Sequence, residues 1–165
     1  MKLSTQAPGR RLVLRGLPPY LPIAGALLLF PSSAFADSVT DWSAFADQVI
    51  AGAGAPPQQY RVLAMTQVAV HDALNSIDPR YRTYSIVGAM NPNASPDAAV
   101  ARAAADVLRA SMPSQVAAID AQYAASIAAL PACPASAPQC ISQGIDAGAA
   151  AAAAILQLRQ GDGSA

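Results

Sequence analysis

Hydrophobic and polar positions along the chain follow a helical period, and prolines cut that pattern into five segments. In the first, Trp42, Phe45, Ala46, Val49 and Ile50 recur at i, i+3, i+4, i+7 and i+8; Thr40 or Asp41 can cap it, and it ends around Ala51-Gly52-Ala53-Gly54. Pro56 and Pro57 suit the first turn of a second helix, where a missing N–H costs nothing, and Asp78-Pro79 ends it. Within this helix Val62, Leu63, Ala69, Val70, Ala73, Leu74 and Ile77 fill one broad arc interrupted by Thr66. That arc is wider than a surface helix needs, so the helix wants partners on several sides and reads as the element around which the chain is organised.

The remaining segments are sparser in large side chains. Arg80 to Val87 is β-branched and aromatic, but no second strand is visible to pair with it, so it reads as a loop that packs. Ser95 caps and Pro96 starts a third helix with Val100, Ala104, Val107 and Leu108 as its stripe. A fourth begins near Pro113-Ser114 and repeats Val116, Ile119, Tyr123, Ile127 and Leu130 until Pro131. The fifth carries Ile141, Ile145, Gly148, Ala152 and Ile155 on one side and stops at Gly161. Its other faces are nearly all alanine, which holds a helix well, while Gly144 and Gly148 permit a close helix approach. The fold class is all-α, a bundle of about five helices.

Charge separates the first 36 residues from the rest. Lys2, Arg10, Arg11 and Arg15 form a basic region, Leu21 to Phe30 a short apolar run, and Ala34-Phe35-Ala36 a small-residue cleavage site before Asp37. Residues 1–36 therefore read as an export signal peptide, and the apolar run is well short of the ~20 residues of a membrane span. Arg10-Arg11-Leu12-Val13-Leu14-Arg15 also fits a twin-arginine leader, so either that route or the general secretory one serves. The expected location is periplasmic or secreted, with membrane involvement only through the signal.

Beyond Ala36 six basic residues face ten aspartates, a net of −4, and no basic stripe marks a nucleic-acid surface. Cys133 and Cys140 sit in a proline-rich connection of a chain destined for an oxidising compartment, so they are predicted to form a local disulfide. One histidine and two cysteines supply no metal-ligand spacing.

The one candidate line of chemistry lies on the second helix. Gln67, His71 and Asn75 stack at i, i+4 spacing opposite the apolar arc, with Arg61, Asp72 and Ser76 beside them. His71 could act as a general acid or base oriented by Gln67 or Asn75, or by Asp72, although neighbours on a helix point ~100° apart. No nucleophile or second titrating group can be placed nearby, so His71 reads as a structural residue satisfied by Asn75, Gln67 or a backbone carbonyl. No catalytic, cofactor or metal residue is assigned.

The succession from Asp41 through Arg61–Tyr81, then ASPDAAVARAAADVL, the Tyr123 helix and the closing LRQGDG, resembles the N-terminal helical part of exported bacterial vanadium-dependent haloperoxidase-like proteins. These belong to the type 2 phosphatidic acid phosphatase superfamily. The resemblance implies an all-α fold that cradles vanadate or phosphate with Lys and Arg, one histidine bonding the oxyanion and a second serving as acid-base. Its site motifs are a Lys and Arg-Pro segment, a Pro-Ser-Gly-His loop and an Arg segment ending in His. None occurs in this chain. No family catalytic residue maps onto any position here.

Two expectations follow. In the first, residues 37–165 are the N-terminal scaffold of such an enzyme, an incomplete part of a larger all-α domain, inactive alone, with the catalytic region beyond Ala165. The mostly alanine helices would make a thin core, since each missing methylene forgoes ~0.8 kcal/mol of burial, leaving the second helix's arc partly uncovered for that region. In the second, the chain is a free-standing secreted bundle that binds a protein partner through the uncovered arc. Export and cleavage should leave Asp37 as the first residue of the processed protein, which intact-mass analysis of the exported product will check; a product retaining Met1 counts against the signal.

Overall fold

A computed structural model describes residues 37–51, 54–85 and 87–163; the export segment expected over residues 1–36 lies outside them. Among the described residues the secondary structure is helical: α1 (Ser38–Ile50), α2 (Pro56–Ile77), α3 (Pro96–Ser111), α4 (Val116–Ala128) and α5 (Cys140–Leu158), with a 3-10 turn at Pro113–Gln115 before α4. The all-α expectation of about five helices is met, and the Arg80–Val87 stretch contains no strand among its described residues.

Local chemistry explains most of the boundaries. Pro56 and Pro57 open α2, and Asp78 ends it with its N–H on the Leu74 carbonyl. Ser95 caps α3 through its hydroxyl, which accepts from Ala98 N at 3.3 Å, and Pro96 follows at the first helical position. The start of α1 departs from the sequence reading. Asp37, rather than Thr40 or Asp41, is the cap, accepting from Val39 N at 3.3 Å, and this places Asp41 in the first turn, where a carboxylate opposes the helix dipole.

The organising element is α3 rather than α2. It packs against α1, α2, α4 and α5, and Ala98, Ala99, Val100, Ala101, Val107 and Leu108 are among its buried residues. Alanine permits this arrangement because its single methyl lets neighbouring backbones approach from every side. The closest approach is to α5, where a Cβ on Gly144 would strike the Ser95 carbonyl and lie 2.9 Å from the Ala98 Cβ. A Cβ on Gly148 would strike the Ala99 carbonyl and lie 2.7 Å from the Arg102 Cβ. Gly144, Ala147, Gly148, Ala151, Ala152 and Ile155 therefore form the buried face. Ile141 and Ile145, expected on it, are half-buried at its margin, while Gly144 and Gly148 take the closest contact with α3.

The expected bare arc on α2 is covered as well. Val62, Met65, Thr66, Ala69, Val70, Ala73 and Ile77 are buried, and Leu63, Val68 and Leu74 pack half-buried against the core. Small residues on α3 and α5 close the gap by bringing their helices in, so bulk is not needed to fill it. By length and composition α5 could cross a membrane, yet its small-residue face is buried against α3 and α2.

Around this centre α1 adds Trp42, which meets Phe45 edge-on at 5.5 Å, and its Nε1 has no acceptor among the described residues. α4 buries only Ile119 fully and is tied to α3 by charge. Arg109 donates to Asp120 at 2.7 Å and to Asp106 at 2.8 Å, with its guanidinium carbon 4.9 Å from the Tyr123 ring centroid. Arg102 donates to the same Asp106 at 2.6 Å, and that hydrogen bond, partly opposed by burial, holds its pKa above the ordinary value. The predicted disulfide joins Cys133 to Cys140 with their Cα atoms 5.7 Å apart. It fastens the 133–140 loop where the Cys140 carbonyl accepts from Ser95 N at 2.8 Å.

Gly148→Ala should destabilise the protein by about 2 kcal/mol, because overpacking against backbone outweighs the ~1 kcal/mol gained in helix propensity. Gly88→Ala, with nothing near the added methyl, should stay within about 0.5 kcal/mol of the parent. Urea unfolding of the two variants beside the parent measures the contrast; equal midpoints would show that the α3–α5 approach is not tight.

Candidate functional site

The outer side of α2 carries the residues from which chemistry could be built, and each grips another part of the chain. Gln67 Nε2 donates to Ser43 Oγ on α1 at 2.7 Å. One turn further, His71 Nε2 lies 3.0 Å from the Arg82 carbonyl oxygen, a geometry that requires the proton on Nε2. Asn75 Nδ2 donates to the His71 carbonyl at 2.8 Å and reaches His71 Nδ1 at 3.4 Å, while its Oδ1 accepts from Tyr81 N at 2.7 Å. The predicted line therefore exists, but its three members do not converge on a shared space. Gln67 ties α2 to α1, whereas His71 and Asn75 hold the loop after α2.

That loop runs back along α2 as a strap. Asp72 fixes its far end: Oδ1 accepts from Tyr84 N at 2.7 Å, and Oδ2 accepts from Ser85 N at 2.7 Å and from Ser85 Oγ at 2.5 Å. Asp72 is 0% exposed, and among the described residues no arginine pairs with it. A buried carboxylate without a countercharge is tolerable only when hydrogen bonds replace its water, and three donors do that here. The return of the strap is marked by Met90 N, which donates to the Ser76 carbonyl at 2.8 Å.

Asp72 is the residue that sequence reasoning undervalued. It was considered only as a partner for His71, and the expected divergence holds, since the two side chains bond different residues. The usable signal was Asp72, Asn75 and Ser76 at i, i+3 and i+4, a polar cluster beside the apolar arc followed by a segment with free backbone donors. His71 has its Nε2 against the Arg82 carbonyl and its ring tilted toward Tyr81 at 6.3 Å between centroids.

No family model, curated protein or solved structure matches this chain.

Among the described residues no three of His, Cys, Asp and Glu come together as metal ligands. A cleft of about 540 Å3 at the opposite end of α2 includes Arg61, Arg159, Met65, Met112 and Leu156 in its lining. Arg61 there is already bound to Asp162 at 2.9 Å and to the Arg159 carbonyl at 3.2 Å.

Asp72→Asn replaces one accepting oxygen by an NH2 that opposes a donor, so a strap bond is lost and a buried donor is left unpaired. The expected cost is about 2–4 kcal/mol, with amide exchange at Tyr84 and Ser85 rising toward loop rates. His71→Ala should cost only about 1 kcal/mol, because the Arg82 carbonyl it releases is at the surface. Hydrogen exchange resolved at those amides checks both; unchanged protection in Asp72→Asn would contradict the anchoring role.

Proposed function

We propose that the chain is the helical scaffold region of an exported vanadium haloperoxidase-like or acid-phosphatase-like protein of the type 2 phosphatidic acid phosphatase superfamily, without turnover of its own. The observation that supports this reading is that the groups on α2 able to do chemistry are already committed to holding the strap and α1. The sequence resemblance supplies the family, and the disulfide suits an oxidising, periplasmic or secreted location.

The residues present do not fit the vanadate or phosphate that the resemblance implies for a whole enzyme. The sole lysine is Lys2, within the export segment, and the sole histidine faces a backbone carbonyl. Four of the six arginines beyond Ala36 are paired with aspartates, as Arg61 with Asp162, Arg80 with Asp78, Arg102 with Asp106 and Arg109 with Asp120. These side chains form no common cradle for an oxyanion, so no step of chemistry is derived through one here.

The covered core favours the free-standing part of a second reading, a secreted bundle that binds a protein partner, but with the α2 arc buried its partner surface must lie elsewhere. The readings differ in what lies downstream: the scaffold reading expects the frame to continue past Ala165 into the Pro-Ser-Gly-His and Arg-to-His segments. Under both, the processed protein should hydrolyse no p-nitrophenyl phosphate and, given vanadate and peroxide, oxidise no bromide. Turnover of either substrate that survives purification to homogeneity would overturn the noncatalytic assignment.

A further inference from the structure

We propose that the outer side of the strap, Arg80 to Tyr84 together with Arg159, is a docking surface for an acidic, aliphatic-bearing protein segment. The strap's backbone is held inward at three points, Tyr81 N on Asn75, the Arg82 carbonyl on His71, and Tyr84 N on Asp72. With the backbone held, Arg80, Tyr81, Arg82 and Tyr84 are left exposed, Tyr81 at 72% and Tyr84 at 57%. Tyr84 is fixed a second time by Arg159, whose Nη2 donates to the phenol oxygen at 2.6 Å and whose guanidinium carbon lies 5.6 Å from the ring centroid. Aromatic rings already ordered lose little entropy on binding, which is why tyrosine and arginine recur where interfaces concentrate their energy.

Charge selects the kind of partner. The chain beyond Ala36 is acidic, but here its sign reverses: Arg82 and Arg159 have no carboxylate partner among the described residues, and Arg80 shares only the exposed Asp78. Carboxylates on a partner would complement Arg82 and the donors of Arg159 that Tyr84 does not take. Beside Arg82 a cavity of about 510 Å3 between the strap and the end of α2 is lined by Ile77, Val87, Met90 and Pro92 among others, which suits an aliphatic side chain. Two arginines without a carboxylate partner are too few for the alternatives. A lipid headgroup patch uses about 4–8 basic residues, and a nucleic-acid backbone commonly meets 6–10 phosphate contacts.

This surface deepens the protein-binding reading above and needs no oxyanion, so a failed peptide titration leaves the turnover test of the scaffold reading untouched. The test is fluorescence anisotropy of the processed protein with a labelled peptide of alternating glutamate and leucine. Saturable binding is expected, weakened about fivefold by Arg82→Gln and again by Tyr81→Ala, and lost when glutamine replaces glutamate in the peptide. Both side chains are exposed, so thermal melts should show the variants folded as the parent is. Absence of saturable binding, equal affinity for the glutamine peptide, an unchanged Arg82→Gln variant, or tighter binding to oligothymidylate or phosphatidylglycerol vesicles would each overturn the proposal.

Discussion

Close contact between α3 and α5 sets the dimensions of the bundle. Dispersion contributes only where atoms touch, and an alanine core holds few atoms per residue, so such helices gain from packing only at short range. Gly144 and Gly148 supply that range by receiving the Ser95 and Ala99 carbonyls where any Cβ would collide. The Ser95 amide on the Cys140 carbonyl and the Cys133–Cys140 disulfide fix the same end of α5. Once α5 is seated, α2 can lie against both α3 and α5, which buries its arc and turns its polar line outward.

On that polar side the constraint changes from packing to hydrogen bonding. A segment without regular structure must still place its amides, and α2 supplies acceptors at successive turns, Asp72 for Tyr84 and Ser85, Asn75 for Tyr81. The buried carboxylate has a further consequence. Each donor it receives comes from the strap, so the strap and the Asp72 side chain stabilise one another, and neither is well accommodated without the other. What could have been a mobile loop becomes a ledge with a defined outer face.

Proline and capping residues made the helices legible before any coordinates: Pro56-Pro57, Asp78-Pro79 and Ser95-Pro96 mark true boundaries. Packing order was less legible. Alanine carries a weak hydropathic signal, so α3 looked like a thin amphipathic helix when it is buried on nearly every side, and α2 with its large side chains was given its place. The same bias put Ile141 and Ile145 on the inner face of α5, whose closest contact is made by Gly144 and Gly148 instead. The Cys133–Cys140 bridge was readable because it is local, its partners seven positions apart along a stiff connection. Asp72 was not, because its partners arrive only when the chain doubles back, and no helical periodicity records that return.

The arginines divide into those paired with aspartates and those without a carboxylate among the described residues. Arg102 and Arg109 converge on Asp106 and flank Tyr123, joining α4 to α3 across an interface with little apolar content. Arg61 ties the start of α2 to the end of α5 through the Arg159 carbonyl and Asp162. Arg82 and Arg159 do neither job through a carboxylate, and both lie along the strap, next to tyrosines that a folding requirement alone would be expected to bury. His71, Asn75 and Asp72 hold the strap's backbone, and Arg80, Tyr81, Arg82 and Tyr84 are left exposed on it. Within that arrangement His71 contributes by placing the Arg82 backbone, so its effect on any partner is indirect and passes through the geometry of the strap.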